Sequence, residues 1–177
     1  MEIQTHCCEG QDCCCEAAPV EKKILLVEYL YLDLKTCDRC MGVDQVLEQV
    51  LTVLQPALDL AGYAVDYRKC EMTTAEIAEQ YRFESSPTIR VNGKDIFGTI
   101  QESACGCCGE IAGTEVDCRV FMHNGRVYEV PTTEMITNAI ITSLHSAPEP
   151  EDIPYKLPEN LRRFYAGKNR KQMDRIP

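Results

Sequence analysis

The chain has 177 residues, 45% of them hydrophobic, with a formal net charge of -10 and 12 cysteines. That is enough apolar material for one core of ordinary domain size without disulfide staples, and no apolar run approaches the ~20 residues of a membrane-spanning helix. The acidic balance repels nucleic acid and anionic lipid, so neither nucleic acid nor membrane is an expected partner.

Residues 1–22 read as a cysteine-rich arm without apolar periodicity. The opening residues lack a basic start and an apolar run, so a secretory signal is not expected and the cytoplasm is the expected location. In a reducing compartment, cysteines serve metal binding or redox chemistry rather than a structural framework. The arm carries His6, Cys7, Cys8, Cys13, Cys14 and Cys15. Neighbouring thiols of this kind chelate soft ions such as arsenite, mercuric or cuprous ions.

Residues 24–32 (ILLVEYLYL) are almost continuously apolar, as expected of a strand buried on both faces. A short loop leads to Cys37-Asp38-Arg39-Cys40, and a helical stripe follows at Val43, Val46, Leu47, Val50, Leu51 and Leu54. Pro56 is expected to kink or interrupt that helix, and Gly62 to mark its end. Residues 63–70 alternate and read as a second strand. Thr73-Thr74-Ala75-Glu76 opens a helix to about residue 83.

Ser85-Ser86-Pro87-Thr88 leads into a third strand, and Asn92-Gly93 turns it into a short fourth. Residues 98–118 form a glycine- and cysteine-rich insertion with no clear period up to residue 116. A second hairpin turns at Asn124-Gly125, and a last helix opens near Pro131-Thr132-Thr133-Glu134. Residues 146–158 are a proline-rich linker, and a short amphipathic piece at 159–165 follows. From Glu151 onward there are seven Lys/Arg and four Asp/Glu, a balance of +3 against -13 for the rest. Such a basic tail could fold back on the acidic body or reach a protein partner.

The element order predicts an α/β domain over residues 23–145: a mixed sheet flanked by helices, with a cysteine-rich insertion and an extra hairpin. The arm lies before it, and the linker and tail at 146–177 lie after it.

Three constellations carry chemistry. Cys37 and Cys40 stand between a buried strand and a helix start, where free N–H groups and the helix dipole lower a thiol pKa. Cys37 is expected to be the more exposed and reactive, and Cys40 to lie a turn further in. Arg39 favours a thiolate and Asp38 opposes one. Such a pair is also half of a zinc site. The second constellation is Cys105, Cys107 and Cys108, with Cys118 beyond. These could bind zinc, cuprous copper or an iron–sulfur cluster, or relay a disulfide from Cys37. Cys118, in an apolar strand, also suits simple packing. The third is the arm itself. Cys70, His123 and His145 read as packing or surface residues.

A CxxC pair at a helix start, a later Ser86-Pro87-Thr88 and the following Asn92-Gly93 together resemble the thioredoxin and glutaredoxin superfamily. The resemblance covers about residues 23–98 and 132–145 by motif order. It implies a thioredoxin-like fold, with Pro87 in the cis form against the CxxC and Ser86 pairing with substrate backbone. The phrases YLYLDLKTCDRC, AEQYRFESSPTIRVNG and EVDCRV are similar to an uncharacterised prokaryotic branch of thioredoxin-like domains, a family of unknown function. That branch implies a fold and little about activity.

Two functions are expected on this basis. The first is a thiol–disulfide oxidoreductase acting on a protein or a small thiophilic substrate. Cys37 attacks, Cys40 resolves, Ser86 and Pro87 present the substrate, and the auxiliary cysteines relay electrons or hold metal. The second is a non-enzymatic soft metal(loid)-binding or transfer protein with the same cysteines as ligands. Redox use needs paired thiols within disulfide reach, whereas metal use needs three or four converging.

Overall fold

The computed structural model describes residues 21–145 and 154–174. The arm cysteines and most of the proline-rich linker lie outside them. The first half contains strand β1 (Lys23–Tyr31), helix α1 (Asp38–Leu60), β2 (Tyr63–Glu71), α2 (Ala75–Gln80), β3 (Thr88–Val91) and β4 (Lys94–Asp95). The second half contains β5 (Gln101–Ala104), α3 (Gly106–Ala112), β6 (Asp117–His123), β7 (Arg126–Tyr128), α4 (Thr133–Ser143) and α5 (Glu159–Met173). Among the described residues, no helix is long and apolar enough to cross a membrane.

The strands form a mixed four-stranded sheet in the order β2-β1-β3-β4 and a second sheet in the order β5-β6-β7. β1 runs parallel to β2 and antiparallel to β3. The two sheets meet where the backbone N–H of Arg119 on β6 donates to the Ser86 carbonyl at 2.6 Å.

Two apolar clusters sandwich the four-stranded sheet. Leu25, Val27 and Tyr29 of β1 pack with Val43 and Leu47 of α1 and Ile136 of α4. Leu30 and Leu32 belong to the other cluster, with α2, α3, α5 and the cysteines. β1 is therefore not buried on both faces throughout: Ile24 is exposed, and Leu26 and Glu28 are half-buried. The second cluster reaches only the C-terminal part of the strand.

Sequence and structure differ at three further places. α1 continues through Pro56. The proline stands four residues from the helix end, where it removes one backbone donor and the remaining turn closes beyond it. The insertion, whose sequence shows no clear period, contains β5 and α3. The buried residues of α3 are Cys108 and Ala112, so its apolar face is written partly in cysteine and escapes an aliphatic pattern. The terminal helix runs to Met173 rather than ending near residue 165.

The basic tail folds back. Leu161, Phe164 and Tyr165 of α5 are buried in the cysteine-containing cluster. The Tyr165 hydroxyl donates to the Met72 carbonyl at 2.9 Å, and the Asn160 amide donates to the Asp117 carbonyl at 2.6 Å. Lys171 Nζ donates to the Glu110 carbonyl near the end of α3, where the helix dipole favours a cation. Gly167 lets α5 approach α3 closely: a Cβ built there would lie 2.2 Å from the Ala112 carbonyl oxygen. Gly167→Ala is expected to lower stability by about 1–3 kcal/mol, because the backbones must separate. Urea unfolding checks this; an unchanged midpoint would mean that the α3–α5 contact gives freely.

Candidate functional site

The loop after β1 is tied by one carboxylate. Asp33 Oδ1 accepts from Lys35 N–H at 2.9 Å, Thr36 N–H at 2.6 Å, the Thr36 hydroxyl at 2.9 Å and Cys37 N–H at 3.2 Å. Burial opposes the Asp33 charge, but these hydrogen bonds outweigh it and hold the carboxyl below its ordinary value. Cys37 becomes the N-cap of α1. On the other side, Cys105 is the N-cap of α3, and its N–H donates to the Val116 carbonyl at 2.8 Å. Cys105-Gly106-Cys107-Cys108 repeats the spacing of Cys37-Asp38-Arg39-Cys40, so two CxxC segments face each other from two helix starts.

Their sulfurs converge. Cys37 Sγ lies 3.9 Å from Cys105 Sγ and 3.8 Å from Cys108 Sγ. All three sulfurs lie within 4.8 Å of one another, and all three residues are buried. Cys118 Sγ stands behind them, 3.4 Å from Cys108 Sγ. The seven described cysteines are free; a disulfide would bring sulfurs to ~2.05 Å. Thiolates held ~2.3 Å from a common ion stand ~3.8–4.0 Å apart. The spacings from Cys37 match that geometry.

The electrostatics sort the thiols into acceptors and donors. Hydrogen bonds from Cys105 first, then from Cys108, Cys118 and Cys40, push the Cys37 thiol far below its ordinary value. Those from Cys108 and Cys118 bring Cys105 down to about 7. Donation to Cys37, together with burial, raises Cys40. Donation to Cys105 first raises both Cys108 and Cys118.

Several expectations need correction. Cys37 is fully buried rather than exposed, because α3 and its preceding strand close over it. Arg39 does not serve the Cys37 thiolate. Its guanidinium donates to the carbonyls of Cys118 at 2.7 Å, Ala104 at 3.3 Å and Ser103 at 3.4 Å, and pairs with Glu129. The Ser86–Pro87 bond is cis, as the resemblance implies. Yet Ser86 is buried, and the carbonyl that would serve a substrate is taken by Arg119 N–H. Ser86 Oγ accepts from Leu32 N–H at 3.1 Å and meets Cys40 Sγ at 3.4 Å.

Cys107 is half-buried and outside the three-sulfur group, and Cys70 sits apart on β2. His123 bonds its neighbour Asn124 on an exposed turn. Cys7, Cys8, Cys13, Cys14 and Cys15 lie outside the described residues. Sequence reasoning missed Arg39 as a brace and the second CxxC. The repeated three-residue spacing was the signal for the latter.

A domain family of unknown function, DUF2703, matches residues 25–140. The chain belongs to this family. No curated protein and no solved structure matches it. The stretch matched to DUF2703 contains Cys37, Cys40, Cys105, Cys108 and Cys118, whereas α5 and the arm lie outside it.

The pKa directions fix a pH response. For Cys40, Cys108 and Cys118, whose folded values lie above the ordinary 9.0, stabilisation is complete below pH 9.0 and is lost as pH rises toward the folded values. For Cys37 and Cys105, shifted the other way, stabilisation is already full above pH 9.0. The reduced, ion-free protein should therefore unfold at progressively lower temperature above about pH 9. Calorimetry under a non-thiol reductant measures this; a rising or flat midpoint contradicts the assignment of donors.

Proposed function

We propose that this protein binds a soft metal or metalloid ion through Cys37, Cys105 and Cys108. The carrying observation is the convergence of three buried sulfurs at ion-sharing distances. Soft thiolates favour zinc, cuprous, mercuric and related thiophilic ions. A small ion also suits a site whose thiols are closed off from solvent. Cys118 stands next to the site as an auxiliary thiol. Cys7, Cys8, Cys13, Cys14 and Cys15 belong to the same reading as additional soft-ion ligands.

The oxidoreductase reading on a thioredoxin-like scaffold keeps specific support. Cys37 caps α1, Cys40 follows it, and Ser86 beside the cis-Pro87 bond meets Cys40. It ranks second because Cys37 is buried and the Ser86 carbonyl already has a partner within the chain. A macromolecular disulfide would have to displace β6 to reach both.

The test uses the full chain with the five arm cysteines replaced by serine, purified anaerobically and loaded with zinc, cuprous, mercuric or arsenite ions in turn. One ion per chain is expected for at least one of them. Cys37→Ser, Cys105→Ser or Cys108→Ser should weaken retention at least about tenfold through loss of one chelating arm. Cys70→Ser and Cys107→Ser should retain the ion, with circular dichroism verifying the fold of each variant. Absence of any bound ion, together with a Cys37–Cys40 disulfide that exchanges with a small disulfide, would instead favour the oxidoreductase.

A further inference from the structure

We propose that the ion taken by this site is a trivalent metalloid, of which arsenite is the representative. This rests on the reading of the three thiols as an ion site and adds a selection rule from charge. The donor group is Cys37, Cys105 and Cys108, with no carboxylate or imidazole among its members. Cys37 and Cys108 are fully buried and Cys105 is 7% exposed. They belong to an apolar cluster that includes Leu30, Leu32, Val116 and Phe164.

Net charge is expensive in such surroundings. Three thiolates on a monovalent ion carry two negative charges, and on a divalent ion one. On a trivalent ion they carry none. The neighbouring side-chain charges do not absorb a surplus, and the start of α1 offers only a partial positive charge. Asp33 presents a carboxylate to the Cys37 N–H, and the Arg39 guanidinium is already engaged by the carbonyls of Cys118, Ala104 and Ser103 and by Glu129. A negative complex would gain no unpaired cation from either group, whereas a neutral complex needs none.

Coordination number points the same way. Zinc seeks four ligands, and the mutually close group supplies three, so zinc would have to draw in Cys118, which is 3.4 Å from Cys108 but outside that group. Trivalent arsenic, with its lone pair, is satisfied by three sulfurs. Binding is a ligand exchange: arsenous acid and three thiols give the trithiolate and three waters. Counted on three protonated thiols, three As–O and three S–H bonds break, while three As–S and three O–H bonds form; where Cys37 is already a thiolate, solvent supplies the third proton. Arsenic stays trivalent and sulfur keeps its oxidation state, so no oxidant or reductant is required.

The full chain with its five arm cysteines replaced by serine is reduced with a phosphine and given one equivalent of arsenite. Native mass spectrometry should find one arsenic added and three hydrogens lost. Alkylation mapping should find Cys37, Cys105 and Cys108 protected, with Cys70 and Cys107 labelled. Equimolar zinc or cuprous ion should displace less than about a quarter of the arsenic, the neutral complex being favoured at least tenfold. An adduct that loses only two hydrogens, or displacement by zinc or cuprous ion bound at the same three cysteines, would overturn the trivalent selection while leaving the ion site intact. Failure of every ion to bind would remove the ion reading itself. Cys105→Ser, checked for folding by circular dichroism, should lose the three-hydrogen signature while Cys107→Ser keeps it; the reverse pattern would move the site.

Discussion

The buried guanidinium of Arg39 ties together the two chain segments that supply the thiols. It sits on α1 between Cys37 and Cys40 and reaches across to the carbonyls of Ser103 and Ala104, which immediately precede Cys105, and of Cys118. Hydrogen bonds from a charged donor stabilise by about 1.5–3 kcal/mol each where well formed. The Glu129 partner is largely exposed, at 68% of its side chain. Solvent therefore screens that ion pair, and the carbonyl bonds carry most of the joint. Without such a brace, the sulfurs would sit on two elements far apart in sequence, free to separate.

A second buried arginine performs the corresponding task between the sheets. Arg119 on β6 pairs with Asp95 of β4 and donates to Thr88 Oγ1 at 3.2 Å. Its backbone N–H holds Ser86. The same contacts that bring β6 and Cys118 to the thiols close the region where an extended substrate strand would have to lie. This trade between assembling a sulfur cluster and leaving a docking edge is why the ion reading ranks above the oxidoreductase reading.

Much of the first half of the domain was legible in sequence. The apolar run of β1, the stripe of α1 and the Asn92-Gly93 and Asn124-Gly125 turns follow local rules, and both asparagines adopt the positive φ that such turns need. The convergence of the thiols was foreshadowed only by the expectation that the insertion cysteines could relay a disulfide from Cys37. The burial of Cys37 was not, because it depends on α3, whose packing face contains cysteine and alanine in place of leucine. Arg39 reads as a thiolate partner and Arg119 carries no signal of its own, and only long-range carbonyl and carboxylate partners make their burial tolerable. In α5, the buried Phe164 and Tyr165 are embedded in basic sequence, and Gly167 resembles a stop signal. Its absent Cβ instead permits the close contact with Ala112, and the helix continues through it.

The close seating of α5 against α3 has a kinetic consequence. Ala112, beneath Gly167, ends the helix that Cys105 begins and on which Cys108 lies. Any opening that frees those sulfurs by lifting α3 must also peel away Leu161, Phe164 and Tyr165. On the proposed ion reading, the barrier to that opening would govern how long a captured ion stays, separately from how tightly it binds. A DUF2703 domain without such a helix could hold the same sulfurs at the same spacing and exchange its cargo on a much shorter timescale.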